Sequence, residues 1–265
     1  MNGEEDVFLP GLPVARIRAC YEAAPGNELA SGKFANPESS AALVANAFGY
    51  FLDRPGDLPV LPRMSASGWP ASDVALEKCM RFPWSGGTHP YLDVVVETQT
   101  HLIGIESKRF EPLRDKPHMD FSDAYWRPVW GDAMRRYEAV RDDLAGGKLV
   151  YAHLSACQLV KHAFGLRTQA GKAASGRIPV LYYLYAEPAR WTDGRNMRRD
   201  HVERHGAEIR DFTARVAGDE VLFLSCGYGE LLGDWSSAGS ELAGHAGRVL
   251  RRFAPAPLDG APVHT

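Results

Sequence analysis

Cysteine is scarce in this chain and never paired. Cys20, Cys79, Cys157 and Cys226 lie 59, 78 and 69 residues apart, whereas disulfide scaffolds and zinc ribbons use short, repeated spacings. An iron–sulfur cluster would want at least one close pair, so the four read as reduced, mainly buried thiols. Long apolar runs are missing too. The longest, Ile178 to Ala186, has nine residues with Pro179 inside it, against the roughly 20 that a bilayer span needs. The N-terminus, Met-Asn-Gly-Glu-Glu-Asp, is acidic where a secretory signal would be basic, and no apolar stretch follows it. The cytoplasm is therefore the expected compartment. Positive charge is not in excess either: the net charge is −3, which leaves any nucleic-acid binding to local basic patches.

What is present is an ordinary globular composition. Hydrophobic residues make up 45% and charged residues 24% of 265 residues, enough to bury a core without disulfides or a structural metal. No internal repeat or domain boundary is evident. Residues 1–25 are rich in Pro, Gly and charge and read as a loosely ordered arm, and residues 254–265 as a tail.

Between these ends helical and extended patterns alternate. Ser39 and Ser40 can cap a helix over Ala41–Phe48, with Gly49 near its end. A short amphipathic piece spans Val74–Met80, and Leu92–Glu97 and Leu102–Lys108 are strand-like. Residues 110–130 form an aromatic, proline-interrupted excursion, in which core packing is a better use of the rings than stacking on bases. Helical periodicity covers Asp132–Leu144 and Leu149–Leu166. Val180–Tyr185 and Glu220–Ser225 read as strands, and Asn196–Val216 and Glu241–Phe253 as helices. The interleaving predicts a single α/β domain with one mixed central sheet flanked by helices on both faces.

The segment richest in chemistry is HPYLDVVVE (89–97), then TQTH, then LIGIESK (102–108). Alternation puts Leu92, Val94 and Val96 on one face of the first strand, opposite Asp93, Val95 and Glu97. In the second strand Glu106 and Lys108 project together with Leu102 and Gly104. A hairpin with Gln99-Thr100 as its loop pairs residues whose numbers sum to 199, which sets Asp93 across from Glu106. Directly opposed side chains have Cβ atoms about 4.5–5.5 Å apart, and like charges there are destabilising. A divalent cation between them reverses that sign.

Asp93, twelve intervening residues, then Glu106-Ser107-Lys108 at the end of a hydrophobic strand resembles the PD-(D/E)xK nuclease superfamily, the restriction-endonuclease-like fold. The wider phrase LIGIESKRFEP and the SSAALVANAFG helix (39–49) are similar to a bacterial group of restriction endonucleases. The resemblance covers roughly residues 28 to 190. It departs from the family pattern in one place, because Leu92 rather than proline precedes Asp93, with Pro90 further upstream.

The resemblance implies a metal-dependent nuclease, a DNA endonuclease by preference, whose Mg²⁺ is held by Asp93, Glu106 and the Ser107 carbonyl, with Mn²⁺ able to substitute. Lys108 would then position the attacking water and stabilise charge on the phosphate. Gln158 and His162, spaced i, i+4 on one helical face, resemble a Gln and Tyr pair of RecB-like members, with His162 in the Tyr place. Members often supply a further acid from upstream; Glu77 is the first choice here, with Glu28 and Glu97 as rivals. Glu111 matches the bacterial group's pattern without a role that the sequence defines. Lys161, Arg167, Lys172 and Arg177 fall in a seventeen-residue stretch free of Asp and Glu and could track phosphates. The second basic cluster, Arg195, Arg198, Arg199 and Arg204, is diluted by Asp200 and Glu203 and reads as a solvated face. Duplex cleavage would favour a homodimer.

Three other readings stand beside these. The hairpin acids and Lys108 can form a solvated, ion-paired face. The chain can be a non-cleaving nucleic-acid-binding or interaction protein that keeps the nuclease fold. Ser225-Cys226-Gly-Tyr-Gly after a strand can carry the nucleophile of a Ser or Cys hydrolase, although it lacks the Gly-x-Ser-x-Gly order.

Overall fold

Five stretches rich in β-branched and aromatic residues form one sheet, in the order β1 (Asp73–Cys79), β2 (Tyr91–Glu97), β3 (His101–Lys108), β4 (Ile178–Tyr185), β5 (Leu222–Gly227). The computed structural model describes residues 7–114, 120–172 and 176–256. The first three strands are antiparallel neighbours, and β3–β4 and β4–β5 run parallel. The sheet is therefore mixed, as the sequence predicts. The change from meander to parallel crossover falls at β3, the strand that carries Glu106 and Lys108.

Among the described residues seven α-helices cover the sheet: α1 (Val14–Ala23), α2 (Ser40–Phe48), α3 (Arg135–Ala145), α4 (Ala156–Lys172), α5 (Arg199–Val216), α6 (Tyr228–Ser237) and α7 (Ser240–Phe253). Val94, Val96, Ile103, Ile105, Val180 and Tyr182 pack with α1, α2, α6 and α7 on one face. Val95, Leu102, Leu181, Tyr183 and Phe223 pack with α3, α4 and α5 on the other. The result is a single three-layer α/β domain. None of the described helices is long and apolar enough to cross a membrane.

The hairpin register matches the sum rule: Val94 pairs with Ile105, Val95 with Gly104 and Glu97 with Leu102. Gln-Thr is a weak turn pair, and the loop is held from outside. Gln99 N–H donates to the Gly68 carbonyl (3.1 Å) and Thr100 Oγ1 to Ser67 O (2.9 Å), while within the hairpin His101 N–H donates to Thr98 Oγ1 (3.0 Å). Gly104 has a packing reason to lack a side chain. A Cβ there would stand 2.3 Å from Leu92 Cδ1 and 2.9 Å from both Leu166 methyls, so glycine lets α4 lie close over β3.

Several expectations need correction. Residues 7–25 are not a loose arm, because Val7, Phe8 and Leu9 pack on the core and α1 buries Ile17 and Tyr21. Residues 1–6, and the tail beyond 256, lie outside the described residues. The amphipathic piece over Val74–Met80 takes the form of strand β1, Asp73–Cys79, whose burial alternates over its first residues. The helix expected from Leu149 begins at Ala156, because the segment before it is pinned in a non-helical course: Ala152, His153 and Leu154 N–H groups all donate to the buried Glu208 carboxylate at 2.7–2.8 Å. Strict alternation in β2 also fails. Leu92 packs with Val95 on the α4 face rather than with Val94 and Val96, so the strand breaks its period at Asp93.

Candidate active site

The break at Asp93 is matched on the neighbouring strand. Continuing the β1–β2 register places Glu77 opposite Asp93, yet the ladder skips that pair, and Glu77 has φ +50°, in the left-handed region. For a non-glycine residue this costs of order 1 kcal/mol or more, and such residues cluster at functional sites. Across the three strands Glu77, Asp93 and Glu106 therefore form one row of carboxylates at the end of the antiparallel half of the sheet.

These side chains meet in a cleft of about 460 Å³ whose lining includes Glu28, Glu77, Asp93, Glu106, Lys108 and Gln158. The α2 N-terminus opens onto it through Ser39 and Ser40, with Ser39 Oγ accepting from Ala42 N–H at 3.0 Å. Glu38 and Glu111 add two more acids, and Lys33 and Arg114 two more bases, so the lining holds six carboxylates against three cations. That balance matters because such a cleft repels a phosphodiester unless further positive charge enters it.

Glu106 is 2% exposed and is held on two sides. Oε1 is ion-paired with Lys108 Nζ, and Oε2 lies 2.9 Å from His162 Nε2. Burial works to raise its carboxyl, but Lys108 and His162 outweigh burial and bring it down to about 2. Lys108 shows the converse: burial opposes its charge, and the carboxylates of Glu106 and Asp93 overcome that and hold the ammonium above its usual range. Asp93 is placed differently. Its Oδ2 accepts the Ser107 N–H at 2.6 Å, yet burial first, and the negative Glu106 second, push its carboxyl well above the usual carboxylate range. Glu77 is raised to about 7 by burial, then by Glu106 and Glu28. Two acids out of one row are thus short of a cation, while the third has one.

The donor set fits a hard divalent ion. Asp93 and Glu106 supply carboxylate oxygens from adjacent strands, and like-charge repulsion between them would be relieved by the ion. Among the described residues no three His, Cys, Asp or Glu side chains converge into a ready-made cage. Mg²⁺ would need only one or two carboxylates, with waters completing its shell.

Of the other residues singled out from sequence, Gln158 lines the cleft, and His162 sits behind it against Glu106, 2% exposed and with no partner at Nδ1. Ser107 sends its Oγ to Tyr228 O–H (2.8 Å), away from the carboxylate row. Of the three rival acids, Glu77 and Glu28 reach the cleft. Glu97 does not, being paired with Arg177 at 2.5 Å. The proposed basic stripe is not a stripe. Lys161 donates to Asp120 O (2.8 Å), Arg167 pairs with Glu220 (3.3 Å), Lys172 donates to the Arg81 and Phe82 carbonyls (3.0 and 3.1 Å), and Arg177 holds Glu97. None of the four lines the cleft. They hold loops onto α4 and the sheet instead.

Residues that sequence reasoning left without a role now have one. Glu111 accepts from Ser40 Oγ (2.5 Å) and from Arg109 N–H (2.8 Å), tying the end of β3 to the start of α2. Glu38 and Arg114 form an ion pair at the cleft. The paired serines before α2 were the available signal. Ser225 and Cys226 lie within β5; Cys226 is fully buried, and burial pushes its thiol up to about 12, which removes the thiolate a nucleophile requires. The aromatic excursion is core in part: Phe110, Tyr125 and Trp130 are buried, with Trp130 stacked on Phe164 at 4.2 Å, whereas Trp126 is exposed. No family model, curated protein or solved structure matches this chain.

Proposed function

We propose that this chain is a metal-dependent nuclease of the PD-(D/E)xK kind, hydrolysing phosphodiester bonds of DNA in the cytoplasm. The observation that carries the reading is the convergence of Asp93, Glu106 and Lys108, from two hairpin strands paired in the predicted register, on one acidic cleft. Asp93 and Glu106 are the residues that would hold Mg²⁺ or Mn²⁺. When bound, the ion supplies charge neutralisation at the scissile phosphate and lowers the pKa of a coordinated water.

The protein's own groups do the rest. Asp93 is oriented by the Ser107 N–H, and Glu106 by His162, so both carboxylates are fixed before any ligand arrives. Lys108 lies on the same strand face as Glu106 and within reach of the cleft. As a compact cation it can orient a water and stabilise charge developing on the phosphate oxygens. Gln158 offers an amide to the strand backbone, and Glu77, with its carboxyl near neutrality, can carry a proton at working pH.

One observation favours a second reading. Glu106 is already ion-paired with Lys108 and in contact with His162, an arrangement that a non-cleaving nucleic-acid binder could keep. The two readings part on one experiment: plasmid, linear duplex, single-stranded DNA and RNA are each incubated with the protein in Mg²⁺, Mn²⁺ or EDTA. The nuclease reading expects cutting in either metal and none in EDTA. Binding without cutting in any condition supports the second reading. Duplex cutting by one site per chain would further call on a homodimer, which sedimentation with and without DNA would reveal.

A further inference from the structure

Ser107 stands between the two residues that project into the cleft, Glu106 and Lys108, and its own side chain leaves β3 on the opposite face. There its Oγ meets the hydroxyl of Tyr228 at 2.8 Å, and the two residues are 1% and 0% exposed. Tyr228 is the first residue of α6, directly after β5 ends at Gly227. Because β4 lies between β5 and β3 in the sheet, this hydroxyl reaches past one strand to hold another. Burial raises it above the usual tyrosine range, which keeps it neutral. Ser107 has a second tie. The β2–β3 ladder stops at Val94 and Ile105, and beyond it the Ser107 N–H donates to Asp93 Oδ2 at 2.6 Å. On its other edge Ser107 stays paired with Leu184 of β4.

We infer that Tyr228 is a positioning residue for the candidate metal site: through the Ser107 hydroxyl it fixes the peptide N–H that aims the Asp93 carboxylate at the cleft. The inference rests on the reading of Asp93 and Glu106 as cation ligands and names a residue that holds one of them in place. Stability alone gives little reason for the hydroxyl pair. A buried hydroxyl loses its water, and a hydrogen bond inside the protein returns little more than that cost. Two apolar side chains of the same shape would be close to neutral in its place. What the pair adds is direction, at the one residue whose N–H holds Asp93. Tyr228 does not line the cleft, so its effect on a ligand passes through Ser107 and Asp93. Groups that hold a metal ligand in this way are worth about 10–100-fold in metal affinity.

The test is titration of Mn²⁺ onto the full chain, with free Mn²⁺ followed by electron paramagnetic resonance, for wild type, Tyr228→Phe and Ser107→Ala. Tyr182→Phe is the control. It deletes another fully buried tyrosine hydroxyl, one that donates to the Pro62 carbonyl at 3.0 Å, and keeps the ring. Tyr228→Phe and Ser107→Ala are each expected to weaken Mn²⁺ binding roughly tenfold or more. Combined, they should lose no more than the larger single loss, since both break one link. Tyr182→Phe should bind Mn²⁺ as wild type does. In an Asp93→Ala background, Tyr228→Phe should change nothing further. Plasmid cleavage gives a companion readout: the Mg²⁺ concentration at half-maximal rate should rise in Tyr228→Phe by the same factor, and saturating Mg²⁺ should restore most of the rate.

Wild-type Mn²⁺ affinity in Tyr228→Phe, or an equal loss in Tyr182→Phe, overturns the positioning role. So does a wild type that binds no Mn²⁺. If Tyr228→Phe loses affinity while no metal supports cleavage by the wild type, the positioning role stands and the nuclease reading falls. Cleavage whose metal dependence is indifferent to Tyr228 overturns the role and leaves the nuclease reading in place. Should Tyr228→Phe fail to fold, Ser107→Ala decides the matter by the same two measurements.

Discussion

Replacing Glu77 with Gln should stabilise the protein by an amount that grows as pH rises from about 4.5 and is complete above about 7. Glu77 sits in the carboxylate row opposite Asp93, and burial with Glu106 and Glu28 raises its carboxyl from 4.5 to about 7. A folded-state pKa above the unfolded value means that the folded chain holds the proton more tightly. The stability this contributes is complete below pH 4.5 and is lost as pH rises through 7. At 1.36 kcal/mol per unit the loss amounts to roughly 3 kcal/mol as an upper figure, since the side chain is partly exposed. Glu77→Gln is nearly isosteric and cannot ionise, so it avoids that loss. At about 2–4 °C per kcal/mol for a chain near this size, the variant should melt roughly 6 °C above wild type at pH 8 and level with it at pH 4. Thermal melts by circular dichroism across this range, in EDTA, give the comparison directly. Adding Mn²⁺ should shrink the difference, because a cation in the row relieves the same repulsion. An offset independent of pH, or a variant less stable at pH 8, would refute the electrostatic account of the row.

Three further outcomes follow from the same geometry. Gly104→Ala should cost about 1–3 kcal/mol by overpacking, since the added methyl would meet Leu92 and Leu166 at 2.3 and 2.9 Å; chemical denaturation measures it, and a loss well below 1 kcal/mol would mean α4 is free to shift. Glu106, held down to about 2, contributes stability present above pH 4.5 and lost as pH falls toward 2; acid unfolding of Glu106→Gln should lack that part of the wild-type dependence. Cys226, fully buried with its thiol raised to about 12, should resist iodoacetamide in the folded protein and react once it is unfolded, as followed by mass spectrometry.

Local rules made the hairpin legible. Its register follows from a two-residue loop and two apolar strands, and the structure keeps it even though Gln-Thr is a poor turn, because the Ser67 and Gly68 carbonyls hold the loop. The α2 cap was legible for the same reason, a serine one residue ahead of an apolar run. Helix α6 was not, since it follows β5 without a break and carries Gly229 and Gly233. The start of α4 was also hidden, because the segment before it is pinned by Glu208, more than fifty residues away in sequence.

The site was half legible. Asp93, Glu106 and Lys108 are close in sequence and share one cleft. The four basic residues after position 160 looked free only because their partners, Glu97, Glu220 and the carbonyls of Asp120, Arg81 and Phe82, lie far along the chain.

The central claim is that Asp93 and Lys108 act together on a phosphodiester. Its most direct test is the initial rate of plasmid cleavage in Mg²⁺ for wild type, Asp93→Ala and Lys108→Ala, each shown to be folded by circular dichroism at the assay temperature. The account predicts cutting by wild type that EDTA abolishes, and a fall of at least a hundredfold, about 2.7 kcal/mol of transition-state stabilisation, in each variant. Wild-type rates in both variants, or no metal-dependent cleavage by the wild type, would contradict it.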